Sequence, residues 1–103
     1  MSQEIPLLKQ AKELQRMLRE LQRELGDRLV EGTAGGGKVR CVVNGHLELL
    51  SLKIDPAAVD PGDVHGLEEL IAAAVRQAYQ AALALKKSET DKVTGGILPE
   101  LGF

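Results

Sequence analysis

The residues of this chain best placed to act as a group are cations: Lys9, Lys12, Arg16, Arg19 and Arg23 recur at steps of three and four. On a helix, at about 100° per residue, they form one stripe whose neighbours stand about 5–6 Å apart. A row of that pitch can face successive phosphates of a nucleic-acid strand, a contact that depends on charge and not on base identity. Glu13, Glu20 and Glu24 gather along one flank of the stripe. The same charges can therefore make ordinary ion pairs on a solvated helix face, such as Glu13 with Arg16 and Arg16 with Glu20.

Residues 4–25 hold five basic and four acidic side chains, a local charge of +1 in a chain whose net charge is −2. A polyanion must then be held by where charge sits, because bulk basicity is absent. Tyr79 and Phe103 are the only aromatics, so stacking of single-stranded bases has no platform. The stripe also lacks Asn and the pattern of a groove-reading helix, so no reading of base sequence is expected from it.

Other candidates for chemistry are weaker. Gly32-Thr33-Ala34-Gly35-Gly36-Gly37-Lys38 has the glycine and lysine spacing of a phosphate-binding loop. Val39 stands where that loop needs a hydroxyl, and an alternating strand follows where it needs a helix, so a turn is expected. Cys41 is the single cysteine, which excludes an intrachain disulfide and a multi-cysteine zinc site. Between Val39 and Val43 it reads as a small buried hydrophobe. His46 and His65 have no companion ligands, and turn and surface roles are expected for them. No catalytic constellation emerges, so no enzyme, cofactor, metal or small-molecule substrate is expected.

The elements that must position the cations follow from periodicity. Leu7, Ala11, Leu14, Leu18, Leu21 and Leu25 alternate four- and three-residue steps, a heptad seam about 160° round the helix from the basic stripe. Pro6 fits the first turn of this helix and Gly26 its end. Three strands are expected at residues 28–34, 38–43 and 46–54, with Asn44-Gly45 as a two-residue type I′ turn between the last two. Leu47, Leu49, Leu50, Leu52 and Ile54 do not alternate cleanly, so the third strand is bulged or covered on both faces.

Asp60 is expected to cap a second helix with Pro61 in its first turn. Leu67, Leu70, Ile71, Ala74, Ala78, Ala82 and Leu85 recur along it at helical spacing, and Lys86 and Lys87 near its end suit the helix dipole. The result is one α+β domain over residues 1–103: a long N-terminal helix, a three-stranded antiparallel sheet and a C-terminal helix, with a tail irregular from about residue 93. Such a short chain builds only a thin aliphatic core, so burial against a second copy is expected to help. There is no run of about 18 apolar residues and no signal-peptide pattern, which makes a cytoplasmic protein the expectation.

Taken in order, several segments resemble the YbaB/EbfC family of bacterial nucleoid-associated proteins. They are Lys9-Gln10-Ala11, Gly32-Thr33-Ala34-Gly35-Gly36-Gly37, Val43-Asn44-Gly45-His46, Leu52-Lys53-Ile54-Asp55-Pro56, Leu67-Glu68-Glu69-Leu70-Ile71-Ala72-Ala73-Ala74 and Thr94-Gly95-Gly96-Ile97-Leu98-Pro99. The resemblance implies an intertwined, tweezer-like homodimer, nucleoid location, and binding of double-stranded DNA with limited sequence preference and no enzymatic activity. It implies DNA contacts from Lys9, Lys12, Arg16, Arg19 and Arg23 and from Lys86, Lys87 and Lys92. Leu14, Leu18, Leu21, Val39, Cys41 and Val43 are then expected to build the core and the dimer contact. The alternative is a dimeric protein-interaction module without direct DNA binding.

Overall fold

The computed structural model describes residues 6–95. Its elements are α1 (Pro6–Leu25), β1 (Leu29–Ala34), β2 (Val39–Asn44), β3 (Leu49–Ile54), a single 3-10 turn at Pro56–Ala58, and α2 (Val64–Thr94). The strands form one antiparallel sheet in the order β1-β2-β3, which is the expected α+β arrangement.

Alanines and one glycine let α2 lie unusually close to the sheet. Ala74, Ala78 and Ala82 are fully buried against Val39, Cys41 and Val43. Gly32 on β1 sits where a Cβ would stand 2.0 Å from the Ala74 carbonyl oxygen and 2.8 Å from Ala78 Cβ. The contact is stitched by hydrogen bonds: the Cys41 thiol donates to the Ala74 carbonyl at 3.3 Å, and the Thr33 N–H donates to Gln77 Oε1 at 2.6 Å. Cys41 is thus the buried small hydrophobe expected, with its weak donor satisfied.

The helix covers β1 and β2 and leaves β3 overhanging. Gly32, Cys41 and Leu52 lie in register, as do Ala34, Val39 and Ile54, and residues opposite one another share a face. Leu52 therefore points to the helix side, yet it is exposed, as is Leu49 opposite Val43. Leu50 is the extra residue of a bulge, because Val42 pairs with Ser51 while Val43 pairs with Leu49. That insertion shifts the alternation by one and accounts for the uneven leucines of the third strand.

Three local expectations are corrected. Asn44-Gly45 is not a two-residue type I′ turn: Asn44 ends β2, the link runs to Glu48, and the positive φ of 64° falls on Leu47. Asn44 instead organises this wider loop through its side chain, whose Oδ1 accepts from the N–H groups of His46 at 2.9 Å and Glu48 at 3.0 Å. Gly45 is required for space, since a Cβ there would lie 2.5 Å from the Leu25 carbonyl oxygen.

The second helix starts later than expected. Asp60 and Pro61 form a turn, in which the Asp63 N–H donates to the Asp60 carbonyl at 2.9 Å. Asp63 is the cap, accepting from the Gly66 N–H. The side chain that caps is the one whose chain direction enters the helix, and the turn delays that entry by three residues.

The helix also runs beyond its last regularly spaced apolar residue, Leu85, through Thr94, where Gly95 closes it in the left-handed conformation with φ 65°. Thr90 and Thr94 hold that extension by donating their hydroxyls to the carbonyls of Lys86 and Thr90. The tail expected to be irregular lies, beyond Gly95, outside the described residues.

Among the described residues, α1 packs on α2 through its C-terminal half. Leu21 and Leu25 are buried, Leu14 and Leu18 half-buried, and Leu7 is 73% exposed. With 20 residues, α1 is about 30 Å long. The chain accordingly measures 75 Å along its long axis and only 21 and 16 Å across.

Candidate nucleic-acid interface

On α1, the stripe residues Lys9, Lys12, Arg16, Arg19 and Arg23 are all exposed. The neighbouring end of α2 lies to one side of them. Met17, Glu20, Leu21 and Glu24 of α1 line a cleft with Glu89, Lys92 and Val93 of α2. By helical rotation that side is about 110° from the centre of the stripe. Glu20 and Glu24 line that cleft, Glu13 and Glu20 also reach Arg16 of the stripe, and the centre of the stripe points sideways to α2.

The stripe is not uniform. Arg16 is clamped by two carboxylates, Glu13 at 2.6 Å and Glu20 at 2.9 Å, the two pairs that the spacing allowed. The hydrogen bond from Arg16, followed by its charge, holds the Glu13 carboxyl below the usual carboxylate range, and Glu13 raises Arg16 in return. Because Glu13 titrates lower in the fold, the pair is intact above the ordinary glutamate pKa and is lost only as pH falls through the lowered value. At neutral pH the two carboxylates beside Arg16 offset part of its charge. Among the described residues, Lys9, Arg19 and Arg23 form no ion pair.

The three lysines of α2 divide. Lys87 is exposed. Lys92 is exposed but donates to Glu89 at 3.1 Å, and Arg28 reaches the same carboxylate at 3.5 Å. The Lys92 hydrogen bond, with the charges of Lys92 and Arg28 behind it, lowers the Glu89 carboxyl. Lys86 is half-buried and lines a cleft with Gln22, Leu25, Gly45 and His46. The bridge from Arg28 through Glu89 joins the segment after α1 to α2, and no local spacing in the sequence announces it.

Of the residues expected to build the core, Leu21, Val39, Cys41 and Val43 are buried within the single chain. Leu14 and Leu18 keep part of their surface. His65 meets Glu69 at 3.0 Å on the exposed first turns of α2, and among the described residues no group of three or more potential ligands could hold a metal ion. The glycine-rich segment is a turn, as expected: Gly35, Gly36 and Gly37 all take positive φ, and β2 follows directly. No helix of the described residues is long and apolar enough to cross a membrane.

Comparison with known proteins gives concordant matches. The sequence pattern of the YbaB/EbfC DNA-binding family matches residues 1–97. A nucleoid-associated protein of Thermoanaerobacter sp. is 46% identical over 91 residues, covering 88% of this chain and 82% of that one. A nucleoid-associated protein of Moorella thermoacetica is 52% identical over 77 residues, covering 75% of this chain and 74% of that one. In three dimensions the chain is similar to the crystal structure of an uncharacterized protein from Helicobacter pylori, with a TM-score of 0.78 at 21% identity, covering 92% of this chain and 100% of that one. At that identity the structural likeness carries the fold.

Proposed function

Since this chain belongs to the YbaB/EbfC DNA-binding family, we propose that it is a nucleoid-associated protein that binds double-stranded DNA through phosphates, using the cations of α1. The family is not an enzymatic one. The observation that supports the phosphate mechanism is the row of exposed cations on α1, of which Lys9, Arg19 and Arg23 form no ion pair among the described residues. An acidic chain can attract a polyanion only through such a local field. Limited sequence preference is in keeping with contacts to phosphate, which position a protein without reading bases. Lys12 and Lys87 extend the cationic surface, while Arg16 and Lys92 contribute less because Glu13, Glu20 and Glu89 already satisfy them.

A homodimer is part of the proposal. Leu49 and Leu52 overhang α2, and the seam of α1 is open from Leu18 toward Leu7. A second copy would cover both surfaces and double the number of stripes. Light scattering across a range of protein concentrations should give twice the 11.1 kDa chain mass.

Titration of labelled duplex DNA at several salt concentrations tests the phosphate mechanism. If a dimer neutralises about four phosphates, log affinity should fall against log salt with a slope of about −3.6. A flat response overturns the mechanism, and absence of any DNA retention by the intact chain favours a protein-interaction module.

Releasing Arg16 should strengthen binding. Glu13→Gln combined with Glu20→Gln leaves the helix propensity nearly unchanged and frees one guanidinium per chain. At about 0.1 M salt each added phosphate contact is worth up to about eightfold in affinity, so the two freed in a dimer give up to about 60-fold. The same DNA titration reads the gain, together with a steeper salt slope.

A further inference from the structure

Asn44, Gly45 and His46 carry none of the phosphate-facing charge, yet all three grip the C-terminal end of α1. The His46 ring Nε2 hydrogen-bonds to the Gln22 carbonyl. The Gly45 N–H donates to the Leu25 carbonyl at 2.9 Å, and Asn44 Nδ2 donates to the Gly26 carbonyl at 3.3 Å. These carbonyls stand where a helix exposes unpaired acceptors and the negative end of its dipole.

A carbonyl oxygen only accepts, so Nε2 must carry the proton, and it does so in both the neutral and the charged imidazole. The bond therefore does not depend on protonation of the ring. Nδ1 lies 3.7 Å from Glu48 Oε1, outside hydrogen-bonding range.

Within one chain this seat has leverage because, among the described residues, α1 otherwise packs mainly on α2. Only Leu21 and Leu25 of the helix are buried, Leu14 and Leu18 are half-buried, and the first turns are exposed. We propose that His46 is a positioning residue: with Gly45 and Asn44 it fixes the direction in which α1 leaves the sheet, and so where the cationic stripe is presented. The functional half of this statement rests on the reading of α1 as the phosphate-facing element; the geometric half does not.

Both halves can be tested in the full chain. Nitroxide labels at Gln10→Cys and Ser51→Cys, with labelled chains diluted into an excess of unlabelled protein, report the intrachain distance from arm to sheet by pulsed electron resonance. Cys41 is buried and stays unlabelled. The unaltered histidine should give one narrow distance distribution. His46→Ala should lose it, and His46→Gln, whose amide can donate to the same carbonyl, should restore it.

Nitrogen NMR of the neutral ring should find the proton on Nε2 and a bare Nδ1. An unchanged distribution in a folded His46→Ala protein overturns the proposal, and so does a ring protonated at Nδ1 alone. If His46→Ala does not fold, the glutamine variant and the ring tautomer decide. DNA titration of the same variants separates the two readings: a broadened arm with unchanged DNA affinity removes α1 from the DNA contact, whereas an unmoved arm with normal DNA binding refutes the seat alone.

Discussion

Gly32→Ala is expected to cost roughly 3 kcal/mol or more and to lower the melting temperature by roughly 15 °C. A methyl group there would sit 2.0 Å from the Ala74 carbonyl oxygen and 2.7 Å from the Ala78 nitrogen, both backbone atoms that cannot rotate away. The whole of α2 would have to lift from β1. That movement would open the packing of Ala74, Ala78 and Ala82 on Val39, Cys41 and Val43, which is the entire buried cluster of the sheet.

Small domains have only about 5–15 kcal/mol in total, so the loss is a large share. Gly36→Ala is the control, because Gly36 has φ 67° and nothing within 4 Å of its would-be Cβ. Its cost should be the conformational one alone, roughly 1–2 kcal/mol. Circular dichroism melts of the two variants side by side check this, and equal losses would mean that the close approach of helix and strand is not under strain from added bulk.

Arg19→Glu combined with Arg23→Glu should produce the largest loss of DNA binding of any pair on α1. Both arginines are exposed and neither is engaged by a carboxylate among the described residues. If they carry half of about four phosphate contacts in a dimer, affinity at about 0.1 M salt should drop roughly 60-fold and the salt slope should shrink to about −1.8. Repulsion from the new carboxylates adds to that drop.

Arg16→Glu should do less, because Glu13 and Glu20 already offset part of the Arg16 charge. Set against Arg19→Glu alone, which changes the net charge by the same amount as Arg16→Glu, the contrast distinguishes a phosphate contact from a general effect of net charge. Fluorescence anisotropy with a short duplex measures each of these proteins, with circular dichroism to verify that helix content is retained. Equal losses for Arg16 and for the Arg19 and Arg23 pair would contradict the assignment.

The elements and their order were legible because each rests on local periodicity. The seam from Leu7 to Leu25, the strands around Cys41 and the alanine-rich helix all declare themselves within a few residues. The ion pairs of Arg16 were legible for the same reason, being three and four residues away. What stayed hidden depends on contacts distant in the chain. Asn-Gly ordinarily signals a tight hairpin, but here the glycine answers to Leu25, twenty positions earlier, and the asparagine to Gly26. The start of α2 was missed because two Asp-led segments follow one another and only the path of the chain distinguishes the turn at Asp60 from the cap at Asp63. The outward or inward facing of the charges on α1 likewise required the position of α2, which helical spacing cannot supply.

The elongated shape has a practical corollary for hydrodynamics. A compact chain of this length would have a radius of gyration near about 13 Å, whereas here it is 19.6 Å. Drag follows extent and not mass, so a lone chain should elute early from a sizing column, at a volume that a globular protein of greater weight would occupy. Elution volume would overstate the number of subunits, and sedimentation equilibrium, which is blind to shape, would count them correctly.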